Sequence, residues 1–296
     1  MTGCVLIVDP VPAMRALLRT KLEAAYFETA LASGFDDVFQ VAENAHPDVV
    51  LISSALGARA ACQLCRALKS TPALSLLPVL VTAHPGASYL AEAFAAGADD
   101  VIAHPVSDAL LQTRLRKLVR GKLALDVLRL RDDAARALGY DPSGSNRMPP
   151  MLAGRAVVHL FPASLSDGAD WTRDLAKAGF RAKAFCGEIA GTQPDMAEAA
   201  ACVIGHAPEE GFDGLKALAG LRARPELRQT PVIMVLPGKP PAPLASLALE
   251  MGASDFMGIA PVEGELAGRV QAQLRLRRQS ERLQQALREG VRLSLI

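Results

Sequence analysis

The sequence predicts two tandem α/β domains, each a five-stranded parallel sheet covered by helices on both faces, followed by a long C-terminal helix. Three observations lead to this prediction. Apolar runs of strand length alternate with helical patterns, the alternation stops once and then restarts, and the two halves share repeated segments. A chain of 296 residues, half of them hydrophobic, is long enough for two such domains of about 130 to 150 residues each.

Five apolar runs in the first half have the length of buried strands. They are CVLIV (4–8), YFETAL (26–31), DVVLIS (48–53), LPVLVTA (77–83) and DDVIA (99–103). Between them apolar residues recur every three or four positions, as in Met14, Leu17, Leu18 and Leu22. Near-continuous apolar strands separated by amphipathic helices are typical of a parallel sheet buried on both faces. The pattern therefore predicts a flavodoxin-like three-layer αβα sandwich.

The pattern is interrupted once, in the middle of the chain. Residues 138–154, LGYDPSGSNRMPPMLAG, are rich in Gly, Pro, Ser and Asn and lack periodicity, which indicates a linker. The cycle then restarts with RAVVHL (155–160), FRAKAF (180–185), AACVIGH (200–206), TPVIMVL (230–236) and SDFMGIA (254–260). The predicted organisation is a first domain at 1–138 with an extended final helix, a linker at 139–154, a second domain at 155–275 and a connector helix at 276–296.

The two halves are related by an internal repeat. LPVLVTAHP (77–85) corresponds to TPVIMVLPG (230–238), and FAAGADDVIAHPVSDALLQTRLRKLVR (94–120) corresponds to LEMGASDFMGIAPVEGELAGRVQAQLR (249–275). The alignment pairs Pro78 with Pro231, Gly97 with Gly252 and Pro105 with Pro261. Two copies of one fold explain this similarity.

The final helix, from Gly264 to the C-terminal end, is longer than one small domain needs. Its apolar residues Leu276, Leu283, Leu287 and Val291 follow roughly the spacing of a coiled-coil seam. One interpretation is an amphipathic helix packed on its own sheet. We favour a connector that projects beyond the domain.

Bulk properties exclude several classes of protein. The net charge of +1 gives no reason to expect nucleic acid or an anionic membrane as a partner. The five cysteines are odd in number and scattered, unlike a disulfide framework. Cys62 and Cys65 have the CxxC spacing of redox and metal sites, but an amphipathic helix with both thiols buried explains them better. We expect a cytoplasmic protein that binds neither nucleic acid nor membranes.

The carboxyl ends of the strands are where an open parallel sheet places its functional residues. In the first half these ends carry Asp9-Pro10, Ser53-Ser54, Thr82-Ala83 and His104-Pro105; in the second half they carry Leu160-Phe161, His206-Ala207, Leu236-Pro237 and Ala260-Pro261. Asp9, Ser53 and His104 have the residue types of a Ser-His-Asp triad, although neither a nucleophile elbow nor an oxyanion-hole motif accompanies them. A hydrolase or a cofactor-binding cleft therefore stays open as an alternative.

The segments VLIVDP, PDVVLIS, LPVLVTA and GADDVIAHP resemble the receiver (CheY-like) domains of two-component response regulators. The second copy, with GFDGLKALAGLR (211–222) and RVQAQLRLRRQSERLQQAL, resembles the PleD-type diguanylate cyclases, which are built as receiver, receiver and GGDEF domain. The resemblance implies a GGDEF domain after VRLSLI in the parent protein, a homodimer, and conversion of GTP to cyclic di-GMP by that absent domain. We expect no catalytic residue within these 296 residues.

The same resemblance implies a set of phosphoryl-site positions, and this chain departs from most of them. The family uses two acidic residues after the first strand to hold Mg²⁺, an aspartate acceptor after the third, a hydroxyl after the fourth and a lysine after the fifth. At these positions the first domain has Asp9, Pro10, Ser53, Thr82 and His104, and the second has Leu160, Phe161, His206, Leu236 and Ala260. Asp9 is a weak residual metal candidate, so we expect weak or absent Mg²⁺ binding and no other cofactor. His159 and His206 could form a metal site, but packed histidines are the simpler interpretation.

These observations predict a pair of pseudo-receivers that forms the regulatory and dimerisation platform of a PleD-like diguanylate cyclase and is not itself phosphorylated. A partner regulator or kinase is a further expected contact. The alternative is a stand-alone adaptor that pairs with an intact response regulator.

Overall fold

The structure, a computed structural model, describes residues 3–83, 89–105, 107–137, 156–185, 198–238, 241–258 and 263–293. Within these ranges the chain forms two five-stranded parallel sheets flanked by helices. The predicted fold class is therefore confirmed. None of the helices described here is both long and apolar enough to cross a bilayer.

The first sheet has the strand order β2-β1-β3-β4-β5, and every neighbouring pair is parallel. This order places β1 and β3 in the interior and β5 at one edge. The elements are β1 (Cys4–Val8), α1 (Pro12–Glu23), β2 (Glu28–Ala32), α2 (Phe35–Ala45), β3 (Val49–Ile52), α3 (Ala58–Ser70), β4 (Val79–Ala83), α4 (Tyr89–Ala95), β5 (Asp100–Ala103) and α5 (Asp108–Ala137).

The second sheet repeats this topology in the order β7-β6-β8-β9-β10, with β10 at the edge that corresponds to β5. Gly97 and Gly252, paired by the sequence repeat, both adopt left-handed backbone angles, with φ of 106° and 104°. The elements are β6 (Val157–Phe161), α6 (Leu165–Lys177), β7 (Arg181–Ala184), β8 (Ala199–Gly205), α7 (Gly214–Ala223), β9 (Val232–Leu236), α8 (Ala242–Glu250), β10 (Asp255–Gly258) and α9 (Glu265–Leu293).

Each face of the first sheet is covered by its own hydrophobic cluster. Side chains alternate between the faces of a strand, so Leu6 and Val8 pack beneath α3 and α4 whereas Val5 and Ile7 pack beneath α1 and α5. Cys62 and Cys65 are buried on the inner face of α3, as the amphipathic pattern predicts. Burial raises the pKa of the Cys65 thiol to about 12.

Helix α9 packs against both domains. Leu266 and Val270 belong to the core of the second domain, whereas Ala272 belongs to the core of the first. Gly268 lies against the ring of Phe94 on α4, where a Cβ atom would overlap the ring. The start of α9 is therefore a joint between the two domains, a role that neither interpretation of the sequence included. The side chains of Leu287 and Val291 lie outside the described structure, so the projecting connector, like the predicted domain boundaries, stays a prediction.

Candidate functional site

Four predicted residues meet at the carboxyl edge of the first sheet. Asp9, Ser53, Thr82 and His104 follow or end β1, β3, β4 and β5, and all four line one cavity. Asp9, Ser53 and Thr82 are buried, whereas His104 and Pro10 are exposed. The strand topology thus brings these side chains together as the sequence predicts.

Asp9 is fully buried, and its two carboxylate oxygens differ in their surroundings. Oδ1 accepts a hydrogen bond from the backbone N–H of Val11 at 2.8 Å. Oδ2 is buried and accepts no hydrogen bond from the residues that the structure describes. The neighbouring Arg15 guanidinium donates to the backbone carbonyl of Asp9 at 2.6 Å rather than to its carboxylate. Among the described residues this carboxylate oxygen therefore has no hydrogen-bond donor, which is costly in a buried position.

The two hydroxyl groups of the site are engaged by backbone N–H groups. Ser53 Oγ accepts from Ala55 N at 3.2 Å, and Thr82 Oγ1 accepts from Ser54 N at 2.9 Å. These bonds fix the loop after β3 against the end of β4. A serine hydroxyl needs an adjacent base to become a strong nucleophile, and unlike a carboxylate it brings no negative charge to a bound cation.

The Mg²⁺ ion that the receiver resemblance implies does not fit these residues. Mg²⁺ requires a nearly octahedral set of oxygen ligands. Asp9 has one free carboxylate oxygen, Pro10 has no side-chain ligand, and Ser53 supplies a neutral hydroxyl in place of a carboxylate. In the described part of the chain no three His, Cys, Asp or Glu residues are grouped to hold a metal.

At the corresponding edge of the second sheet, three of the four described positions carry apolar side chains. Leu160, Phe161 and Leu236 are buried in hydrophobic clusters, and Phe161 stacks on Phe185 with ring centroids 5.4 Å apart. His206 is buried with its Nδ1 3.7 Å from a carboxylate oxygen of Asp213. Ala260 lies outside the described residues. The four described positions are packed core or rim and carry no carboxylate for phosphoryl chemistry.

His159 is fully buried in strand β6. Its ring meets Phe185 edge-on, with centroids 5.0 Å apart. This contact agrees with the interpretation of His159 as a packed core residue.

A buried charge cluster, which was not predicted from the sequence, lies between the two domains. It comprises three carboxylates and three cations, so its formal charge is zero: Asp100, Asp255, Glu265, Arg114, Lys117 and Arg269. Asp100 and Asp255 are fully buried, and the two arginines are at most 4% exposed. Burial by itself would raise the pKa of the Asp255 carboxyl, but Lys117, Arg269 and Arg114 together outweigh this and hold the pKa well below its usual range.

The cluster has an approximate two-fold symmetry that follows the sequence repeat. Arg114 on α5 reaches Asp255 at 2.7 Å and donates to the carbonyl of Phe256 at 2.7 Å. Arg269 on α9 reaches Asp100 at 2.7 Å and donates to the carbonyl of Val101 at 3.0 Å. Each arginine thereby covers the edge strand of the opposite domain. A sequence signal was present, because GADD and GASD place Asp100 and Asp255 at equivalent positions of the repeat.

Comparisons with known proteins agree with this architecture. The response regulator receiver domain family matches residues 5–116. "Response regulator PleD" of Caulobacter vibrioides is 28% identical over 302 residues, which cover 100% of this chain and 64% of that protein. The phosphate regulon transcriptional regulatory protein PhoB of Rhizobium meliloti is 30% identical over 115 residues, covering 38% of this chain and 51% of that protein. The chain thus spans 64% of the length of its PleD relative.

Two solved structures are similar to part of the chain. The signal receiver domain of a signal transduction histidine kinase from Syntrophus aciditrophicus is 25% identical with a TM-score of 0.38, covering 40% of this chain and 92% of that one. A response regulator from Thermotoga maritima is 21% identical with a TM-score of 0.36, covering 40% and 99%.

Proposed function

We propose that this chain is a phosphorylation-independent regulatory and dimerisation platform. Its residues 5–116 match the response regulator receiver domain family, and its whole length is similar to a PleD response regulator. In this proposal both domains are pseudo-receivers. They serve as a scaffold in cyclic di-GMP signalling rather than as an Asp-phosphate switch.

The residues at the strand ends support the loss of the phosphoryl switch. Ser53 stands where the family has its acceptor carboxylate, and Pro10 stands where it has its second acidic residue. Asp9 alone supplies neither the acceptor nor a full set of metal ligands. In the second domain the equivalent described positions are occupied by Leu160, Phe161, His206 and Leu236.

The observation that carries the scaffold role is the buried charge cluster between the domains. Asp100 and Asp255 are each shared by Arg114 and Arg269, so that the edges of both sheets are joined through groups that water does not reach. Separating the domains would expose two sheet edges and leave several charges without their partners. The two domains therefore act as one rigid unit, as a platform requires.

We further propose that this chain is part of a longer parent protein. The platform is a homodimer in the cytoplasm, and a GGDEF domain joined to α9 condenses GTP to cyclic di-GMP when two copies meet. A partner regulator or kinase supplies the signal. A gene whose reading frame continues after Ile296 into a GGDEF domain is the expected result, and a natural end at Ile296 would favour the adaptor alternative.

The test of the proposal combines intact mass with light scattering. The chain is incubated with acetyl phosphate and Mg²⁺ beside an intact receiver domain as positive control. We expect no phosphoryl adduct on this chain, and a dimer whose mass is unchanged by either reagent. A stable adduct, or a monomer that dimerises only after treatment, would refute the proposal.

A further inference from the structure

The cavity at the carboxyl edge of the first sheet is larger than a phosphoryl group requires. Its volume is about 500 Å³, within the usual range for small-molecule sites. It lies between the strand ends, helix α1 and the first turns of α5. Its walls are mainly apolar and are formed by Val11, Met14, Leu17, Leu18, Leu51 and Leu111.

The mouth of the cavity exposes apolar surface to water. Val11, Met14 and Leu17, on α1 and the turn before it, are hydrophobic side chains that are each more than 40% exposed. A salt bridge between Lys21 and Asp108, 2.8 Å long, joins α1 to α5 at the same rim. The rim therefore offers apolar contact with a charged pair at one side.

The inner end of the cavity carries the unpaired carboxylate oxygen. Asp9 lines the cavity, is fully buried, and takes part in no ion pair with a described residue. A buried carboxylate without a cation is unfavourable, and a ligand that donates a hydrogen bond and carries a positive charge would relieve that cost. Ser53 and Thr82 line the same inner end and add hydroxyl groups.

We propose that this cavity binds a small organic cation, with an ammonium group directed at Asp9 and an apolar body between α1 and α5. The inference rests on the proposed function, because it assigns a ligand to a domain that has lost its phosphoryl switch. The occupant is a free small molecule, since a volume of about 500 Å³ has the size of a small-molecule site and the carboxylate lies at its buried inner end.

The position of the cavity suggests how such a ligand acts on the platform. Leu111 and Asp108, in the first turn of α5, line the cavity, and Arg114 of the interdomain cluster follows one turn later on the same helix. A ligand that fixes the start of α5 thus acts on the helix that holds the second domain.

The test uses 2-phenylethylamine as probe and 2-phenylethanol as its neutral counterpart, titrated by ligand-observed NMR without Mg²⁺ or acetyl phosphate. We expect the amine to bind with a Kd of roughly 1 mM, as fragments of this size do, and the alcohol to bind about tenfold more weakly. Asp9→Asn is expected to weaken the amine about tenfold and to leave the alcohol unchanged, because it removes only the charge.

A second variant tests the location without altering a buried carboxylate. Met14→Trp, at the mouth, is expected to abolish binding of both probes. Phe35→Trp, on α2 and outside the cavity lining, changes an equally exposed residue and is expected to leave binding unchanged. The amine–alcohol comparison and Met14→Trp remain decisive if Asp9→Asn fails to fold.

Three results would overturn the inference: no amine binding at about 10 mM, equal affinity for amine and alcohol, or Mg²⁺ binding at Asp9 that is tighter than amine binding. Because the titration contains no phosphoryl donor, its failure leaves the phosphorylation test untouched. Conversely, a phosphoryl adduct in that test would refute the proposed function while the titration result stood.

Discussion

Replacement of Arg269 by methionine tests whether the buried charge cluster holds the two domains together. Arg269 is 2% exposed and donates to Asp100, Asp255, Glu265 and the carbonyl of Val101. Methionine keeps much of the apolar length of the side chain and removes its charge. The variant leaves three carboxylates with two cations in a site that excludes water.

The expected loss of unfolding free energy is about 3 to 5 kcal/mol, the usual cost of removing one partner from a buried ion pair. About 1 to 3 kcal/mol of this comes from the Val101 carbonyl, which loses its donor at the edge of the sheet. The double variant Arg269→Met/Asp100→Asn restores charge balance. It is expected to lose less than the sum of the two single variants, with a coupling of roughly 0.5 to 3 kcal/mol.

Urea unfolding followed by two probes makes the measurement domain-specific. Trp171, the single tryptophan, is buried in the second domain, so its fluorescence reports that domain while far-UV circular dichroism reports both. We expect coincident transitions in the parent chain and separate transitions in Arg269→Met. Arg19→Met, which removes an exposed pair with Glu23, is the control and should change stability by less than about 0.5 kcal/mol. An Arg269→Met variant with an unchanged midpoint and coincident transitions would refute the reasoning.

Three further predictions follow from packing and protonation. Gly268→Ala should destabilise the joint between α9 and α4 by roughly 1 to 3 kcal/mol, because the added Cβ would overlap the Phe94 ring. The control Gly220→Ala in α7 adds a Cβ that meets no atom within 4 Å, so it should stabilise the chain by about 0.5 to 1 kcal/mol. The urea midpoints of the two variants check both expectations. Cys65 and Cys202, whose thiol pKa values burial raises to about 12, should resist iodoacetamide at pH 8 in the folded chain, and rapid labelling by peptide mass spectrometry would contradict their burial. Because the pKa of Asp255 is depressed in the folded chain, ionised Asp255 stabilises the fold fully above about pH 4, and this stabilisation is lost as the pH falls further. The unfolding free energy, measured in a pH series, should therefore fall more steeply in acid for the parent chain than for Asp255→Asn. Equal slopes would contradict the prediction.

The strands could be predicted because their signals are local, and the repeat because both halves carry the same local pattern. A run such as VVLI fills a buried strand wherever it lies in a parallel sheet, and the paired glycines Gly97 and Gly252 adopt the same left-handed turn. The strand ends followed from the same reasoning, since parallel strands finish at one edge. Asp9, Ser53, Thr82 and His104 line one cavity as this reasoning predicts, whereas the chemistry inferred from their residue types stays a prediction.

The interdomain cluster could not be predicted, because its partners are distant in the chain. Arg114 and Asp255 are 141 residues apart, and Arg269 and Asp100 are 169 apart. Periodicity marks Arg114 and Arg269 as polar residues of long helices, which normally indicates a solvent-facing side. Only the packing of α5 and α9 against the opposite edge strand makes these residues buried.

The sequence by itself determined two copies of one parallel α/β fold and the residue types at the ends of their strands. The tertiary structure decided how the copies are joined, where charges are buried, and that a cavity remains beside Asp9. The physical reason is the range of the forces involved. Strand and helix patterns depend on neighbours within a few residues, whereas burial of an arginine or the volume of a cavity depends on surfaces that meet only after both domains have folded.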